Sequence, residues 1–390
     1  MKKLILLLCI ISTITYAKPT MSQKSYDLLM TAQKHIELNE IKQAKEILNL
    51  LLEEKNDYAK SYAYQYLANL ALQDNKYKIA QKYYENIIKM NSLAKENIDR
   101  IKFSLSKISL SLEQYNKSIK LSTELLKDSK ISKTDIYETL VYSYYYTKKF
   151  KNSIKYSKLF NASTKKKNET IYQILYSSYV ELKKYRDGIK TLETMVRLWP
   201  ERSNYWLQLT SLFQETKQYK KALSTIELAY KKKILEPKKN TRFYVNLLVQ
   251  NNLYQKGSLV LENGIKKKYI KEDKKTFELL ISSYLNAKEI DKSIKKLKNS
   301  KFAQNKKYKK ILANLYYNKH HYKSTISTLK STYPKNIKKF DADTEILLAL
   351  CYFELEKISE SKKHLQNTLK TKSKKRALEI AKTLRIDLKI

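Results

Sequence analysis

The chain has 390 residues and a formal net charge of +41, from 79 basic and 38 acidic residues, with only 3 Gly, 4 Pro and 2 Cys. So little Gly and Pro leaves almost no material for the tight turns of β-sheets, and we expect an all-α protein. Only seven of the basic residues are Arg, the side chain that contacts phosphate and guanine in bidentate fashion. The composition therefore argues against nucleic-acid binding despite the charge.

The first seventeen residues have the pattern of a secretory signal peptide. Lys2 and Lys3 precede an apolar stretch from Leu4 to Ile14, and Thr15 and Ala17 supply small residues for a signal peptidase. The stretch is too short to span a bilayer comfortably, and no second hydrophobic segment follows. We expect a periplasmic protein without a transmembrane segment in its mature chain, with residues 18–24 as a short lead.

A short pattern recurs from residue 25 to residue 371: an aromatic residue or Ile, two mostly polar residues, and a small residue that opens an apolar run. The small residues are Ala44, Ala80, Ser118, Ser153, Gly188, Ala222, Gly257, Ser293, Thr325 and Ser361. Their spacing of 32 to 38 residues holds two short helices and their turns. A small side chain at this place allows the two helices to cross closely, so we interpret these positions as packing positions.

Apolar residues in each copy follow the helical period. Before Ala222 they include Trp206, Leu209 and Phe213, and after it come Ile226 and Ala229. These are the packing positions of a tetratricopeptide repeat (TPR). The sequence predicts an all-α, right-handed superhelical solenoid of about ten helix pairs over residues 25–371, with a capping helix in residues 372–390. Copies three and nine fit the pattern loosely.

In arrays of this kind, five positions of the first helix of each pair line the concave groove. They lie 18, 15, 11, 8 and 7 residues before the small residue, and we call these fifty residues the A-helix face. The face carries seven basic and eight acidic residues, a net charge of −1, inside a strongly basic chain. Its candidate binding residues are Tyr62, Glu138, Tyr142, Tyr145, Tyr146, Gln173, Glu181, Asn204, Gln214, Glu215, Asn246, Gln250, Asn314 and Tyr317.

This mixture of Tyr and amide side chains suits a protein partner. Tyr offers a large contact area at low entropic cost, and amides can pair with a peptide backbone. We therefore hypothesise that the A-helix face binds an extended or helical protein segment. The alternative is that these are solvated faces of ordinary helices. Trp199, in the turn before Pro200, either contacts a partner or packs beneath that turn.

The positive charge outside the A-helix face includes three Lys triplets in turns between helix pairs: residues 165–167, 231–233 and 266–268. They are most simply solvated loops. The alternative is weak peripheral attachment to an anionic membrane surface or another envelope polyanion, which salt would release.

Catalytic and cofactor motifs are missing from the sequence, and we expect no enzymatic activity, no cofactor and no metal. Only four His occur, none followed three or four residues later by a metal-ligand type of residue, and three scattered Gly cannot form a phosphate-binding loop. Cys9 lies in the leader, where bulky Leu8 and a short preceding apolar region disfavour a lipoprotein signal. Cys351 is then alone, and we interpret it as a buried structural thiol rather than a site of intermolecular disulfide formation.

One segment has a more specific resemblance. It comprises Met195–Pro200 (Met-Val-Arg-Leu-Trp-Pro), Tyr205-Trp206, Ala222-Leu223, Leu228–Tyr230, Tyr254–Ser258 and Leu261–Ile265, and ends near Lys268. It is similar to exported tetratricopeptide proteins found beside TonB, ExbB and ExbD components in Gram-negative bacteria. The resemblance implies a periplasmic adaptor in a TonB-type energy-transduction system. An alternative is a coordinator of outer-membrane assembly, cell-wall synthesis or pilus biogenesis.

Overall fold

The computed structural model describes residues 20–333, 340–369 and 371–388. The predicted signal peptide therefore lies outside the described residues. Within these ranges the chain is entirely helical, without a strand. The helices up to Pro200 form one unit, and those from Glu201 onward form a second.

The first unit contains five antiparallel helix pairs. Its helices are α1 Gln23–Glu37, α2 Ile41–Glu53, α3 Asp57–Gln73, α4 Tyr77–Met90, α5 Lys95–Ser111, α6 Tyr115–Lys127, α7 Lys133–Tyr146, α8 Phe150–Ser163, α9 Glu169–Glu181 and α10 Tyr185–Leu198. Each helix packs on the next in the chain, and neighbouring odd-numbered helices also touch, as α5 touches α7 and α7 touches α9. We call the odd-numbered helix of each pair helix A and its partner helix B.

The second unit repeats the arrangement with five further pairs and a last helix. Its helices are α11 Ser203–Glu215, α12 Tyr219–Lys231, α13 Pro237–Gln250, α14 Tyr254–Lys266, α15 Lys274–Asn286, α16 Ile290–Asn299, α17 Lys306–Asn318, α18 Tyr322–Lys330, α19 Ala342–Glu354, α20 Ile358–Thr368 and α21 Lys374–Thr383. Helix α21 packs on α20. The prediction of about ten helix pairs and a capping helix is confirmed.

All ten small residues are buried where helix B crosses helix A, which confirms their packing role. At Gly257, an added Cβ would lie 3.3 Å from Cγ2 of Val249 and 3.6 Å from Cβ of Leu248, both on α13. A Ser or Thr hydroxyl at the crossing can also donate a hydrogen bond to a backbone carbonyl of helix A. Oγ of Ser361 donates to the carbonyl of Ala349 at 2.9 Å. The crossing therefore selects a small residue, and Ser153, Thr325 and Ser361 also donate a hydrogen bond to helix A of their own pair.

The turn from helix A to helix B takes the same conformation in every pair. Five residues before each small residue, a residue other than Gly has φ between 55° and 61°. These residues are Asn39, Asn75, Glu113, Lys148, Lys183, Lys217, Asn252, Lys288, His320 and Glu356. Copies three and nine share this turn, so their loose sequence match does not change the local fold. Left-handed backbone is strained for Glu and Lys because the Cβ approaches the carbonyl oxygen.

Replacing Lys183 by Gly is expected to raise the free energy of unfolding by about 1 kcal/mol, because Gly has no Cβ to strain the left-handed turn. Urea unfolding of the full chain measures the change. The control is Lys190→Gly within α10, where the same substitution should cost about 1 kcal/mol of helix propensity. Destabilisation at both positions would contradict the turn argument.

Buried hydroxyls distinguish the middle of the first unit. Side-chain oxygens of Ser109, Ser122, Ser157 and Ser178 are buried and have no hydrogen-bond partner among the described residues. By contrast, buried Ser143 donates to Thr139 O at 2.9 Å and lies 3.0 Å from Ser118 Oγ. An unsatisfied buried hydroxyl costs free energy that Ala would avoid.

Ser122→Ala and Ser157→Ala are therefore each expected to stabilise the chain by about 1 kcal/mol. Ser143→Ala is the matched control, and its loss of hydrogen bonds should destabilise the chain by a similar amount. Differential scanning calorimetry of the three variants measures the signs. Lower melting temperatures for all three would show that the first two hydroxyls are satisfied in solution.

Candidate protein-binding face

The A-helix face is accessible in both units. Of its fifty residues, forty-eight are exposed or half-buried, and only Leu29 and Ile346 are buried. The core is instead built from other positions of the same helices, such as Leu209 and Phe213 in α11. Part of the surface of Tyr62, Tyr142 and Tyr145 nevertheless packs against the core clusters, while the rest of each side chain stays accessible.

Side chains on this face meet across neighbouring A helices. In the first unit, Nδ2 of Asn168 donates to Oε1 of Glu138 at 3.2 Å. In the second, Nε2 of Gln214 donates to Oε1 of Gln250 at 3.2 Å. Each bond links neighbouring helix pairs at one point: Gln214 and Gln250 both belong to the A-helix face, whereas Asn168 is the N-cap of α9 beside it.

An aromatic cluster lies on α7 and the turns beside it. The rings of Tyr115 and Tyr146 stack with centroids 5.2 Å apart and an interplanar angle of 17°. Tyr145 meets Tyr146 edge-on at 5.7 Å and Phe150 at 5.9 Å. Tyr146 is 55% exposed, and Tyr142 lies one turn before Tyr145 and Tyr146 on the same helix face. We call Tyr115, Tyr142, Tyr145, Tyr146 and Phe150 the tyrosine patch.

The pKa values of Tyr62 and Tyr142 on this face are raised above the ordinary value for tyrosine. Burial raises the pKa of Tyr142, and the nearby Glu138 and Tyr146 raise it further. On α3, the hydrogen bond between Tyr62 and Tyr58 and partial burial raise the pKa of Tyr62 to about 12. The two hydroxyl oxygens of Tyr58 and Tyr62 lie 3.3 Å apart. These tyrosines therefore present neutral hydroxyls that can donate or accept hydrogen bonds.

The second unit carries a more charged part of the A-helix face, and several of its charges are paired. Nζ of Lys307 lies 2.8 Å from Glu278, and Nζ of Lys310 lies 2.7 Å from Asp341. Arg376 of α21 pairs with Asp343 at 3.2 Å. A cleft of about 350 Å³ lies between α17, α18, α19 and α21. It is lined by Lys310, Asn314, Leu329, Asp343, Thr344, Ile346, Leu347, Leu350 and Arg376.

The structure places all fourteen candidate binding residues on accessible parts of the A helices. Tyr62, Glu138, Tyr142, Tyr145, Gln214 and Tyr317 are half-buried, and Tyr146, Gln173, Glu181, Asn204, Glu215, Asn246, Gln250 and Asn314 are exposed. Their role in binding remains a prediction.

Trp199 is half-buried, with its ring edge-on to Tyr172 at 5.6 Å. This contact supports packing beneath the turn. Contact between Trp199 and a partner also stays a prediction.

Two features were not found from the sequence. The first is the contribution of Tyr115 and Phe150, which the repeat pattern marks only as turn residues. The second is Glu345, whose buried Oε2 lies 2.5 Å from Nδ1 of His364. Glu345 lies 16 residues before Ser361, where the repeat has a core residue, and this spacing could have revealed it.

Cys351 is a free, fully buried thiol, as predicted. Burial raises the pKa of Cys351 to about 12. The native thiol is therefore expected to resist a thiol reagent such as DTNB at pH 8, and to react only after unfolding, because the thiolate is the nucleophile. Absorbance at 412 nm follows this reaction. Rapid labelling of the native chain, or a disulfide-linked dimer, would contradict the burial.

The described part of the chain contains neither a metal-binding cluster nor a membrane-spanning helix. There, no group of three or more His, Cys, Asp and Glu side chains is arranged to hold a metal ion. None of the helices in this part combines the length and the apolar character needed to cross a membrane. The three Lys triplets are exposed, with Lys233 and Lys268 in left-handed turns.

Comparison with known proteins gives a likeness in structure only. No protein-family model and no curated protein matches the chain. The solved structure of Naa15/Naa10 bound to HypK-THB is 14% identical, with a TM-score of 0.47, over 93% of this chain and 58% of that chain.

Two smaller proteins are also similar. YrrB, described as a TPR protein with an unusual peptide-binding site, is 12% identical with a TM-score of 0.35, over 49% of this chain and 97% of that chain. PilW, a type IV pilus biogenesis factor, is 15% identical with a TM-score of 0.31, over 54% of this chain and 98% of that chain. The helix pairs, their buried small residues and their recurring left-handed turns give the described part of the chain an all-helical fold of repeated antiparallel helix pairs, as the sequence repeat predicts.

Proposed function

We propose that the chain is a periplasmic scaffold whose A-helix face binds a segment of a partner protein, and that it supports a TonB-type energy-transduction system. The observation that carries the binding role is the accessibility of the A-helix face. Its Tyr rings provide contact area and its amides provide donors and acceptors for a peptide backbone. Tyr146 is exposed and stacked on Tyr115, so its ring is held in place and available for contact with a partner.

The charge of the A-helix face favours a protein segment over a polyanion. Its net charge is −1, whereas the whole chain carries +41. Three of its seven basic side chains, Lys239, Lys307 and Lys310, are already engaged by carboxylates. A nucleic acid or acidic polymer would find more favourable charge almost anywhere else on the molecule.

Export is part of the proposal and rests on the pattern of residues 1–17. Expression in a Gram-negative host should give a periplasmic protein whose mature chain begins at Lys18. Intact mass spectrometry of the periplasmic fraction tests this, and an uncleaved protein in the cytoplasm would contradict export. A cleaved protein that releases from membranes only at high salt would support the peripheral attachment of the Lys triplets.

The TonB link is tested with purified periplasmic segments of the TonB and ExbD proteins from the cell that encodes this chain. Isothermal titration calorimetry should show binding that Glu181→Lys and Glu215→Lys weaken. Glu193→Lys, at an exposed position of the B helix α10, is the control and should bind normally. If the chain binds an outer-membrane assembly, cell-wall or pilus factor instead, that factor replaces the TonB-type partner in the proposal. Equal effects of all three variants on affinity would contradict binding at the A-helix face.

A further inference from the structure

Carboxylates that form no ion pair lie beside the tyrosine patch and elsewhere on α7 and α9. Among the described residues, Glu113, Asp135, Glu138 and Glu181 form no ion pair with a Lys or Arg, although the chain has 79 basic and 38 acidic residues. Glu113 and Glu138 lie close enough to raise the pKa values of Tyr115 and Tyr142, respectively. On the A-helix face of the second unit, Glu278 and Asp343 are both paired.

These carboxylates lie on the same side of the A helices as the tyrosines. Along α7, Asp135, Glu138, Tyr142 and Tyr145 are three or four residues apart, so they share one side of the helix. On the neighbouring helix α9, Glu181 occupies the repeat position that Tyr146 occupies on α7. The surface thus combines aromatic rings with negative charge.

The rings themselves are free of cations. Lys amines lie over several aromatic rings elsewhere, including Lys107 over Phe103 at 5.6 Å and Lys306 over Tyr333 at 4.2 Å. None of the described Lys or Arg side chains lies over a ring of the tyrosine patch. The rings of the tyrosine patch are therefore open to a cation from another protein, which could lie over a ring and form an ion pair with a nearby carboxylate.

We infer that the tyrosine patch binds a Lys or Arg side chain of an extended, basic protein segment. The cation would lie against a ring of the patch and pair with the carboxylate beside that ring, Glu138 next to Tyr142 or Glu113 next to Tyr115, while the peptide runs across α7 and α9. This inference rests on the proposed function and specifies the chemistry of the partner. A cation on an aromatic ring and an exposed ion pair together account for a preference of about tenfold.

The basic shell does not oppose such binding strongly at physiological salt. The screening length there is about 8 Å, so charges on distant helices contribute little. Glu113 and Glu138, which adjoin Tyr115 and Tyr142, act at shorter range, where they compete with the exposed Lys148 and Lys149 between Tyr146 and Phe150. An acidic segment would meet repulsion here, although it could attach to the outer Lys residues.

The test uses three fluorescein-labelled peptides of one extended sequence that contain Arg, citrulline or Glu at the same alternating positions. Citrulline keeps the shape of Arg without its charge. Fluorescence anisotropy at 0.15 M salt measures the affinities. The Arg peptide should bind about tenfold more tightly than the citrulline peptide. Glu138→Gln and Tyr146→Ser should each weaken the Arg peptide about fivefold and leave the Glu peptide unchanged.

Matched variants on the second unit distinguish binding of a basic segment at the tyrosine patch from the proposed function in general. Glu227→Gln and Tyr219→Ser remove the same side-chain types from the B helix α12, outside the A-helix face, where Glu227 is paired with Lys231. Both should retain the affinity of the wild-type chain for the Arg peptide. A different result is that the Arg and citrulline peptides bind with equal affinity and Tyr146→Ser weakens both. That result would overturn the inference of a basic partner and leave the proposed function standing. Binding unaffected by every variant would overturn both.

Discussion

Replacing Ala80 by Leu is expected to lower the free energy of unfolding of the first unit by about 3 kcal/mol, because this residue stands at a helix crossing. Ala80 is fully buried in α4, against a cluster that includes Ala68, Tyr84 and Ile87. A Leu side chain would push the backbones of α3 and α4 apart or distort these neighbours. Urea unfolding followed by circular dichroism measures the loss.

The control is Ala162→Leu, the same substitution at an exposed position of α8 in the same unit. A surface substitution of this kind should change stability by no more than about 0.5 kcal/mol. Similar losses at both positions would mean that the crossing is not the constraint. The same test applies to every small residue of the repeat, because all ten are buried.

Replacing Glu345 by Ala is expected to cost the second unit about 3 kcal/mol, because it leaves His364 without its buried partner. The carboxylate also accepts from Nδ2 of Asn367 at 3.0 Å and from the backbone N–H of Phe340 at 2.9 Å. Calorimetric unfolding at pH 7 measures the loss. Asp343→Ala on the same helix is the control: its pair with Arg376 is exposed and should contribute at most about 1 kcal/mol.

The contribution of Glu345 also depends on pH. Burial alone would raise its pKa, but hydrogen bonds from His364, Phe340 and Asn367 outweigh burial and lower it. A carboxyl with a lowered folded-state pKa stabilises the fold fully above its ordinary value of 4.5 and loses that effect as the pH falls toward the folded value. The stability gap between the wild type and Glu345→Gln should therefore shrink below about pH 5. A constant gap would contradict the charged state of Glu345.

The repeat made most of the fold predictable from sequence. Ala222 and its counterparts fixed the register, and the register assigned core residues such as Leu209 and solvent-facing ones such as Asn246. These assignments succeed because a buried crossing tolerates few residue types and recurs at one spacing. The same register placed the candidate binding residues on one accessible face.

Other features depend on contacts that the repeat pattern does not encode. The left-handed turns at Lys148 and Lys183 could not be predicted, since residue type there gives no sign of the conformation that the adjoining helices impose. The stacking of Tyr115 on Tyr146 depends on the approach of a turn in one pair to the A helix of the next. Glu345 departs from the usual apolar core, and only its partner His364 explains its burial.

The central claim is that the A-helix face binds a protein segment, and site-specific photocrosslinking in the periplasm tests it most directly. A photoreactive residue would replace Tyr146 or Gln214 on this face, and in matched experiments Leu159 or Leu228, which are exposed on B helices. Mass spectrometry would identify the captured proteins. We predict capture of a TonB-type or ExbD-type periplasmic segment from Tyr146 and Gln214 and none from the two B-helix positions. Capture only from Leu159 or Leu228, or from no position, would contradict the claim.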